Sequence, residues 1–381
     1  MADVAPEGLD EMDDFADEFE RLGRVAGAEL RAMPSSDGAA TVTRSASRRR
    51  AVATASKVGV ALALLAGTGW VARGNYQQSI PNDTAPAPVD PGWIVYEAGA
   101  GGRELLFLVR PDGSDPHPLV PNLDGGFQSK PDWSPNGEQI VFTMPTQGGE
   151  SLWTVGVGGS NPRVLLECSD ACVYLDDPSW SPDGAHVVYA RMRDEDGATV
   201  GSLERVNVAT GAVDVLLEGE DHDFFAAPRW SPDGRSLVVE VVHRDDATLQ
   251  AEVTGTTLSV VDLGSNTAIM QPLPGASPDA VTPDWGPTGD LIVYAAPPSA
   301  TSTDNELFTI APTGGTPSRL TFLTADGGNA AFPSFDNTGQ RIVFSATTPS
   351  NASVLAHIDV NGDNLTTTIG EATISGIHPR P

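Results

Sequence analysis

The chain has 381 residues, which is enough for one large domain or two domains of ordinary size. Its 22 basic residues stand against 51 acidic ones, and the resulting net charge of −29 repels phosphate backbones and argues against nucleic-acid binding. Forty glycines and 31 prolines favour turns over long helices, and two cysteines are too few for a zinc or iron–sulfur site built from thiolates.

The first predicted element is an amphipathic helix over residues 9–33. Its apolar side chains recur at steps of three and four residues, and acidic residues fill the other faces. The apolar positions are Leu9, Met12, Phe15, Phe19, Leu22, Ala26, Leu30 and Met33. A single helix cannot bury such a stripe by itself. We expect it to dock on a cytoplasmic partner protein, to self-associate or to lie on the inner membrane leaflet.

A single transmembrane helix is predicted over residues 51–72. This stretch is apolar except for Lys57, and its length of about 33 Å matches a bilayer core of roughly 30 Å. Five basic residues precede the apolar core and one follows it, so the positive-inside rule places the N-terminus in the cytoplasm. A cleaved signal peptide, a twin-arginine signal and a buried helix of a soluble domain are the alternatives.

These elements divide the chain into four predicted parts. Residues 1–50 hold the acidic helix and a basic tether in the cytoplasm, and residues 51–72 cross the cell membrane once. Residues 73–90 contain three prolines and form a linker. Residues 91–381 form the extracytoplasmic domain.

The extracytoplasmic part of the sequence is a repeat. The motif Pro-x-Trp-Ser-Pro-Asp-Gly recurs five times with small changes, and an apolar strand follows each copy. Its aromatic residues are Trp133, Trp180, Trp230, Trp285 and Phe335, at intervals of 47 to 55 residues. This period and a second hairpin signal in each unit predict the four-stranded blades of a β-propeller. The proline and glycine suit a turn and the aromatic ring suits packing between blades, so the motif itself is structural.

Two further segments complete the predicted ring. Residues 93–120 look like a blade that lacks its first strand, and residues 374–380 look like that strand because Pro379-Arg380 matches Pro228-Arg229. The predicted fold is therefore all-β, a six-bladed propeller whose C-terminal strand closes the first blade. Closure removes the exposed strand edges.

The repeated motif with its aliphatic strand resembles the TolB-type propeller repeat of bacterial envelope proteins over about 290 residues. The resemblance implies a propeller that binds partner proteins, although the same repeat also occurs in peptidase accessory domains and in some lyases. In place of the helical domain that precedes the TolB propeller, this chain has its predicted membrane anchor. The N-terminal arrangement is similar to bacterial membrane-bound regulators of the anti-sigma kind, without the histidine and cysteine motif of the zinc-binding subtype.

The sequence contains no recognisable catalytic motif. It has no Gly-x-Ser-x-Gly, no nucleotide-binding loop and no paired histidine spacing. His222 stands out because a lyase similar to some TolB-type enzymes would use such a residue with a metal. We expect a non-enzymatic binding or sensor module without a cofactor. The alternative is an extracytoplasmic lyase or hydrolase that acts on envelope or extracellular polymers.

Acidic residues recur at one point of the repeat. Asp124, Asp221 and Asp326 lie seven residues before a motif proline, and Asp170 and Glu371 lie one residue further out. In a propeller these positions are near one mouth of the central channel. Such carboxylates bind Ca²⁺ or a basic segment of a partner protein, or else they form a solvated acidic rim.

Cys168 and Cys172 share one short loop between two repeats. Outside the cytoplasm the pair is expected to form a disulfide, and two reduced thiols are the alternative.

Overall fold

The computed structural model describes residues 92–379 except for 101–102, 124–126, 221, 249–250, 265–266, 348–352 and 370–374. The predicted amphipathic helix, membrane helix and linker lie outside the described residues, as do Asp124, Asp221 and Glu371. Within the described ranges, no helix is long and apolar enough to cross a membrane.

The described residues form strands and one short 3₁₀ helix, Leu323–Asp326, in an all-β fold. The strands fall into six groups of four. Group 1 consists of β24 (Ser375–Pro379), β1 (Ile94–Ala100), β2 (Arg103–Val109) and β3 (His117–Pro118). Group 2 consists of β4 (Ser129–Trp133), β5 (Gln139–Thr146), β6 (Gly149–Gly156) and β7 (Ser160–Leu166). Group 3 consists of β8 (Cys172–Trp180), β9 (His186–Glu195), β10 (Ala198–Asn207) and β11 (Val213–Glu218).

The remaining strands repeat this pattern. Group 4 consists of β12 (Phe224–Trp230), β13 (Ser236–Arg244), β14 (Val253–Asp262) and β15 (Ile269–Pro272). Group 5 consists of β16 (Val281–Trp285), β17 (Ile292–Ala296), β18 (Glu306–Ile310) and β19 (Ser318–Arg319). Group 6 consists of β20 (Asn329–Phe335), β21 (Arg341–Thr347), β22 (Ser353–Asp359) and β23 (Thr366–Ile369).

The first strands of the groups form a ring. Pairing within each group is antiparallel, and one parallel pair, Glu150 with Tyr174, joins groups 2 and 3 into a single sheet. The strands β24, β4, β8, β12, β16 and β20 contact one another in this order, and β20 contacts β24 again. The beginnings of these strands share one side of the ring, which we call the start side. The loops that enter the first strands lie there too.

The C-terminal strand takes part in this ring as the sequence predicts. In β24, Pro379 pairs with Ile94 and His378 pairs with Val95 of β1, so the end of the described chain supplies the first strand of group 1. The indole nitrogen of Trp133 in group 2 donates a hydrogen bond to the carbonyl oxygen of His378 over 2.9 Å. The tail therefore contacts both its own group and the next one.

The core lies between neighbouring groups, where apolar side chains of one sheet pack on the next. The motif aromatics belong to this core as predicted. Trp133, Trp180 and Phe335 are buried, and Trp230 and Trp285 are half-buried. The motif glycine adopts positive φ, for example +66° at Gly137, where the turn requires a residue without a Cβ atom.

The two cysteines are joined by a disulfide with a Cα–Cα distance of 5.3 Å. Their loop enters β8 beside the parallel pair that links groups 2 and 3. The backbone N–H of Cys168 donates to the hydroxyl of Ser151, and the Arg191 guanidinium donates to the carbonyl oxygen of Ser169. The loop is thus tied to both groups that it connects.

Candidate functional site at the centre of the ring

A β-bulge interrupts the first strand of five groups at the same position. The pairing register shifts around the motif proline, and the residue before that proline has positive φ although it is not glycine. These residues are Lys130 (53°), Asp177 (49°), Ala227 (44°), Thr282 (49°) and Phe332 (53°). The left-handed conformation costs an L-residue about 1–2 kcal/mol, and a bulge re-aims the side chain that it carries.

Buried and half-buried carboxylates of one group hold the bulged first strand of the next group. At five junctions a carboxylate accepts a backbone N–H from the following group, over 2.6 to 3.1 Å. The bonds run from Lys130 to Glu97, from Trp180 to Asp132, from Ala227 to Asp177, from Thr282 to Glu240 and from Phe335 to Asp284. Because charge-assisted bonds of this type are strong, they offset the unfavourable backbone conformation. Part of the acidity of the chain is therefore structural.

One ionic cluster spans the centre of the ring near the motif prolines. Nη2 of Arg229, on group 4, lies 3.0 Å from Nε2 of His378, on group 1. Since a guanidinium only donates hydrogen bonds, His378 accepts here and its imidazole is neutral. Burial, together with the positive charges of Arg229 and Lys130, holds the pKa of His378 well below its usual range. The contact between Arg229 and His378 therefore spans the centre of the ring near the motif prolines.

Carboxylates surround the same arginine. Burial raises the pKa of Asp132 to about 6, although the nearby Arg229 opposes this shift. Burial also raises the pKa of Asp284, again against the attraction of Arg229. The hydroxyl of Ser334 donates to Asp284 over 3.0 Å.

The presence of a serine, a histidine and an aspartate in this cluster invites comparison with a catalytic triad. The hydroxyl of Ser334 and a carboxylate oxygen of Asp132 both approach Nδ1 of His378, at 3.4 and 3.7 Å. A triad needs the two groups on opposite ring nitrogens, and here Nε2 is occupied by Arg229. The arrangement therefore does not activate Ser334.

A second ionic cluster lies towards the start side, around Lys130. Nζ of Lys130 is 3.0 Å from Asp177, and the two side chains are only 18% and 9% exposed. Burial works against the charge on Lys130, but Asp177, Asp176 and Glu97 outweigh it and raise its pKa. Burial also disfavours ionisation of Asp177, yet Lys130 and Arg229 bring its pKa below the usual range. Lys130 and Asp177 are therefore a buried ion pair.

The other carboxyl groups of this cluster hold their protons more tightly than usual. Burial, and then the charge of Asp177, raises the pKa of Asp176 well above its ordinary value. Burial likewise raises the pKa of Glu150. For Glu104, burial and the neighbouring Glu97 raise the pKa to about 7. We call Lys130, Glu97, Glu104, Glu150, Asp176 and Asp177 the start-side cluster; it has five carboxyl groups around one ammonium group.

Neither ionic cluster was predicted from the sequence, although the sequence contains one signal for them. The residue directly before the first proline of the motif and the residue directly after it vary between repeats. In several copies one or both of these residues are charged. Lys130 is one of only two lysines in the chain and stands at the first of these positions. A charged residue in an otherwise constant structural motif is the pattern that pointed to the centre.

The structure describes only part of the predicted acidic mouth. Asp124 and Asp221 lie outside the described residues, and Asp326 ends the 3₁₀ helix with an exposed side chain. Asp170 is exposed in the disulfide loop, and His222 is exposed before β12. Among the described residues, no three His, Cys, Asp or Glu side chains are arranged to hold a metal ion. Ca²⁺ binding stays a prediction.

A buried carboxylate fixes the helix that carries Asp326. Glu306 is fully buried and accepts the backbone N–H groups of Leu323 and Thr324, over 3.0 and 2.6 Å. Burial disfavours its ionisation, but these bonds and those from Thr321 and Thr324 side chains lower its pKa. Asp326 therefore has a defined position on the start side, at the entrance to β20.

Residues 107–333 match the protein family described as the lipoprotein LpqB beta-propeller domain, Gmad1, and this match covers more than half of the chain. The chain belongs to this family. The LpqB-type propeller also resembles TolB from Acinetobacter baumannii, with a TM-score of 0.56 and 16% identity over 75% of this chain and 66% of TolB. Its fold is therefore a β-propeller of the TolB type.

The chain also resembles one longer enzyme in structure and one uncharacterized protein in sequence. Hydrazine synthase from Kuenenia stuttgartiensis has a TM-score of 0.60 and 12% identity, over 77% of this chain and 47% of the enzyme. An uncharacterized protein from Agrobacterium fabrum is 25% identical over 118 residues, which are 29% of this chain and 40% of that protein. The chain thus spans less than half of this relative and about two thirds of the Acinetobacter TolB. The structural similarities establish the propeller fold of the LpqB-type domain.

The pKa of Asp132 leads to a prediction for the pH dependence of stability. The unfolded chain releases this proton near pH 4 and the folded domain near pH 6, so the folded state becomes less stable as the pH rises through this window. The penalty, about 3 kcal/mol, is complete above pH 6. Asp132→Asn removes it and keeps an acceptor for the N–H of Trp180. We expect a melting temperature a few degrees higher than the parent at pH 7.5 and equal to it at pH 4.

Asp177→Asn is the matched control, because the pKa of Asp177 is lowered rather than raised. This variant is expected to melt below the parent at pH 7.5. If both variants shift the melting temperature in the same direction, the assigned environments of the two aspartates are wrong.

Proposed function

We propose that the chain is a membrane-anchored, extracytoplasmic six-bladed propeller that binds a basic segment of a partner protein on its start side. The six strand groups are the blades, residues 51–72 are the anchor and residues 1–50 present the amphipathic helix to a cytoplasmic partner. The lipoprotein LpqB family and the TolB-type fold support a place in the cell envelope and a role in protein binding. The apolar run with its basic flank supports the anchor.

One observation carries the choice of partner. The start-side cluster sets five carboxyl groups against one ammonium group. Burial, followed by neighbouring carboxylates, raises the pKa values of Glu104 and Asp176, and burial raises that of Glu150 although Lys130 opposes the shift. An arginine or lysine side chain that approaches them supplies compensating positive charge. The proposed extracytoplasmic domain, residues 91–381, has 38 acidic and 13 basic residues, and this excess adds long-range attraction for a basic partner.

Binding of a basic segment should release protons. The pKa of Glu104 is about 7, so part of this group is protonated at neutral pH, and an approaching cation lowers the pKa. Calorimetry of the full-length protein with a short arginine-rich peptide measures this release when it is repeated in buffers of different ionisation enthalpy. We expect proton release at pH 7, and binding that weakens as salt rises.

Variants separate this proposal from general attraction to an acidic protein. Glu104→Gln combined with Glu150→Gln is expected to weaken peptide binding at least fivefold and to abolish most of the proton release. The matched control is Asp214→Asn, which removes an exposed charge from the outer strand β11 and is expected to leave binding unchanged. Equal affinities of the double variant and the control would contradict the proposed site.

The anchor has its own test. The full-length protein is expected to stay with the membrane during alkaline carbonate extraction, and external protease is expected to cut the propeller in spheroplasts. Release by carbonate, or protection of the propeller from protease, would contradict the proposed topology.

A further inference from the structure

A relay of three side chains lies apart from the centre, on group 4 near the start side. Nδ1 of His243 is 2.8 Å from a carboxylate oxygen of Asp223, and Nε2 of His243 is 3.0 Å from the hydroxyl oxygen of Thr257. His243 is near the end of β13, and Thr257 is on the neighbouring strand β14. Asp223 directly precedes β12. Three consecutive elements of one sheet thus converge on one imidazole.

The contacts define the direction of the hydrogen bonds. An ionised carboxylate only accepts, so Nδ1 of His243 carries the proton that it donates to Asp223. Nε2 then has a free lone pair and accepts the hydroxyl proton of Thr257. A carboxylate on one ring nitrogen and a hydroxyl on the other is the geometry that activates a nucleophile in hydrolases. The described part of the chain has this combination at no other histidine.

The hydroxyl is accessible to a substrate. Thr257 is exposed, whereas the His243 and Asp223 side chains are 37% and 23% exposed. Gly255 pairs with His243 in the sheet, and a Cβ atom at Gly255 would meet only a carboxylate oxygen of Asp279, at 3.5 Å. The missing side chain leaves open space beside the imidazole and the hydroxyl.

We propose that Thr257 is a nucleophile for acyl transfer from carboxylic esters, with His243 as its general base and Asp223 as the residue that orients His243. In the first step the Thr257 oxygen bonds to the acyl carbon, the ester C–O bond breaks, His243 takes the hydroxyl proton and the leaving alcohol receives it. In the second step the water oxygen bonds to the acyl carbon, His243 takes a proton from the water, the bond between the acyl carbon and the Thr257 oxygen breaks, and His243 returns the proton to that oxygen as the carboxylic acid is released. This activity is independent of the proposed binding of a basic partner.

p-Nitrophenyl acetate is the probe for this activity, used with the purified full-length protein. We expect release of p-nitrophenol above the solution rate and, by peptide mass spectrometry, an acetyl group on Thr257. Thr257→Val is expected to abolish the acetylated peptide. His243→Gln and Asp223→Asn are expected to slow acetylation at least 100-fold, because general-base catalysis by a positioned side chain contributes roughly 10²–10⁴-fold.

His117→Gln is the matched control, because His117 is a half-exposed histidine next to an aspartate but has no hydroxyl partner in the described residues. It is expected to react like the parent. If the Thr257→Val variant fails to fold, Thr257→Ser replaces it and should be acetylated at least as fast as the parent. Acetylation confined to other residues, or an unchanged rate in His243→Gln, would overturn the proposal.

Discussion

Replacement of Lys130 by methionine is expected to lower the melting temperature of the propeller by roughly 6–12 °C. The substitution leaves Asp177 buried without the ammonium group that lies 3.0 Å away, next to Asp176 and Glu97. Removal of one partner of a buried ion pair costs about 3–5 kcal/mol, because the remaining charge has no compensation. Differential scanning calorimetry of the full-length variant at pH 7.5 measures the shift.

Two controls show whether the loss comes from the buried charge. Lys130→Met combined with Asp177→Asn removes both charges and should recover part of the loss. Arg205→Met breaks an ion pair of similar length with Asp214, but these side chains are 33% and 60% exposed, so a shift of at most about 2–4 °C is expected. A shift for Lys130→Met no larger than that of Arg205→Met would mean that the central pair does not stabilise the ring.

Deletion of residues 375–381 is expected to have a larger effect, namely insolubility or loss of a cooperative melting transition. The deletion removes β24, so β1 keeps only β2 as a pairing partner and the cycle of first strands loses one member. It also removes the acceptor for the indole of Trp133 and the imidazole that meets Arg229. Unpaired strand edges promote aggregation.

Deletion of residues 380–381 alone is the matched control, since β24 ends at Pro379. This shorter truncation is expected to melt within a few degrees of the parent. If the longer truncation melts like the shorter one, closure by the C-terminal strand does not stabilise the ring.

The repeat made the fold predictable from the sequence. The motif forms a turn within one group and packs its aromatic ring against the adjacent group. Because every group needs the same turn and the same packing, the motif recurs along the sequence and predicts the propeller blades. Trp133 and Phe335 are buried as predicted. Pro379 pairs with β1, and this pairing was predictable because Pro379-Arg380 matches Pro228-Arg229 at an earlier motif. Turns and packing between neighbouring groups depend on nearby residues, so a single sequence is enough to predict them.

The charged motif positions mark the centre in the sequence, but their contacts were not predictable, because they join distant parts of the chain at positions that differ between repeats. Arg229 and His378 are 149 residues apart, and their contact exists only when the ring is closed. The residue before a proline ordinarily prefers an extended conformation, so nothing in the sequence signalled the left-handed bulge at Lys130. Counting back from the motif predicted Asp326 at the mouth, and Asp326 is exposed at the entrance to β20, whereas Asp124 and Asp221 lie outside the described residues.

Site-specific photo-cross-linking in intact cells tests the proposed partner binding most directly. A photoreactive residue is placed at Asp326, which is exposed on the start side, and for comparison at Val215, which is exposed on the outer strand β11. We expect position 326 to cross-link to an extracytoplasmic protein through a peptide rich in arginine or lysine, and position 215 not to do so. Equal cross-linking from both positions, or a cross-linked peptide without basic residues, would contradict it.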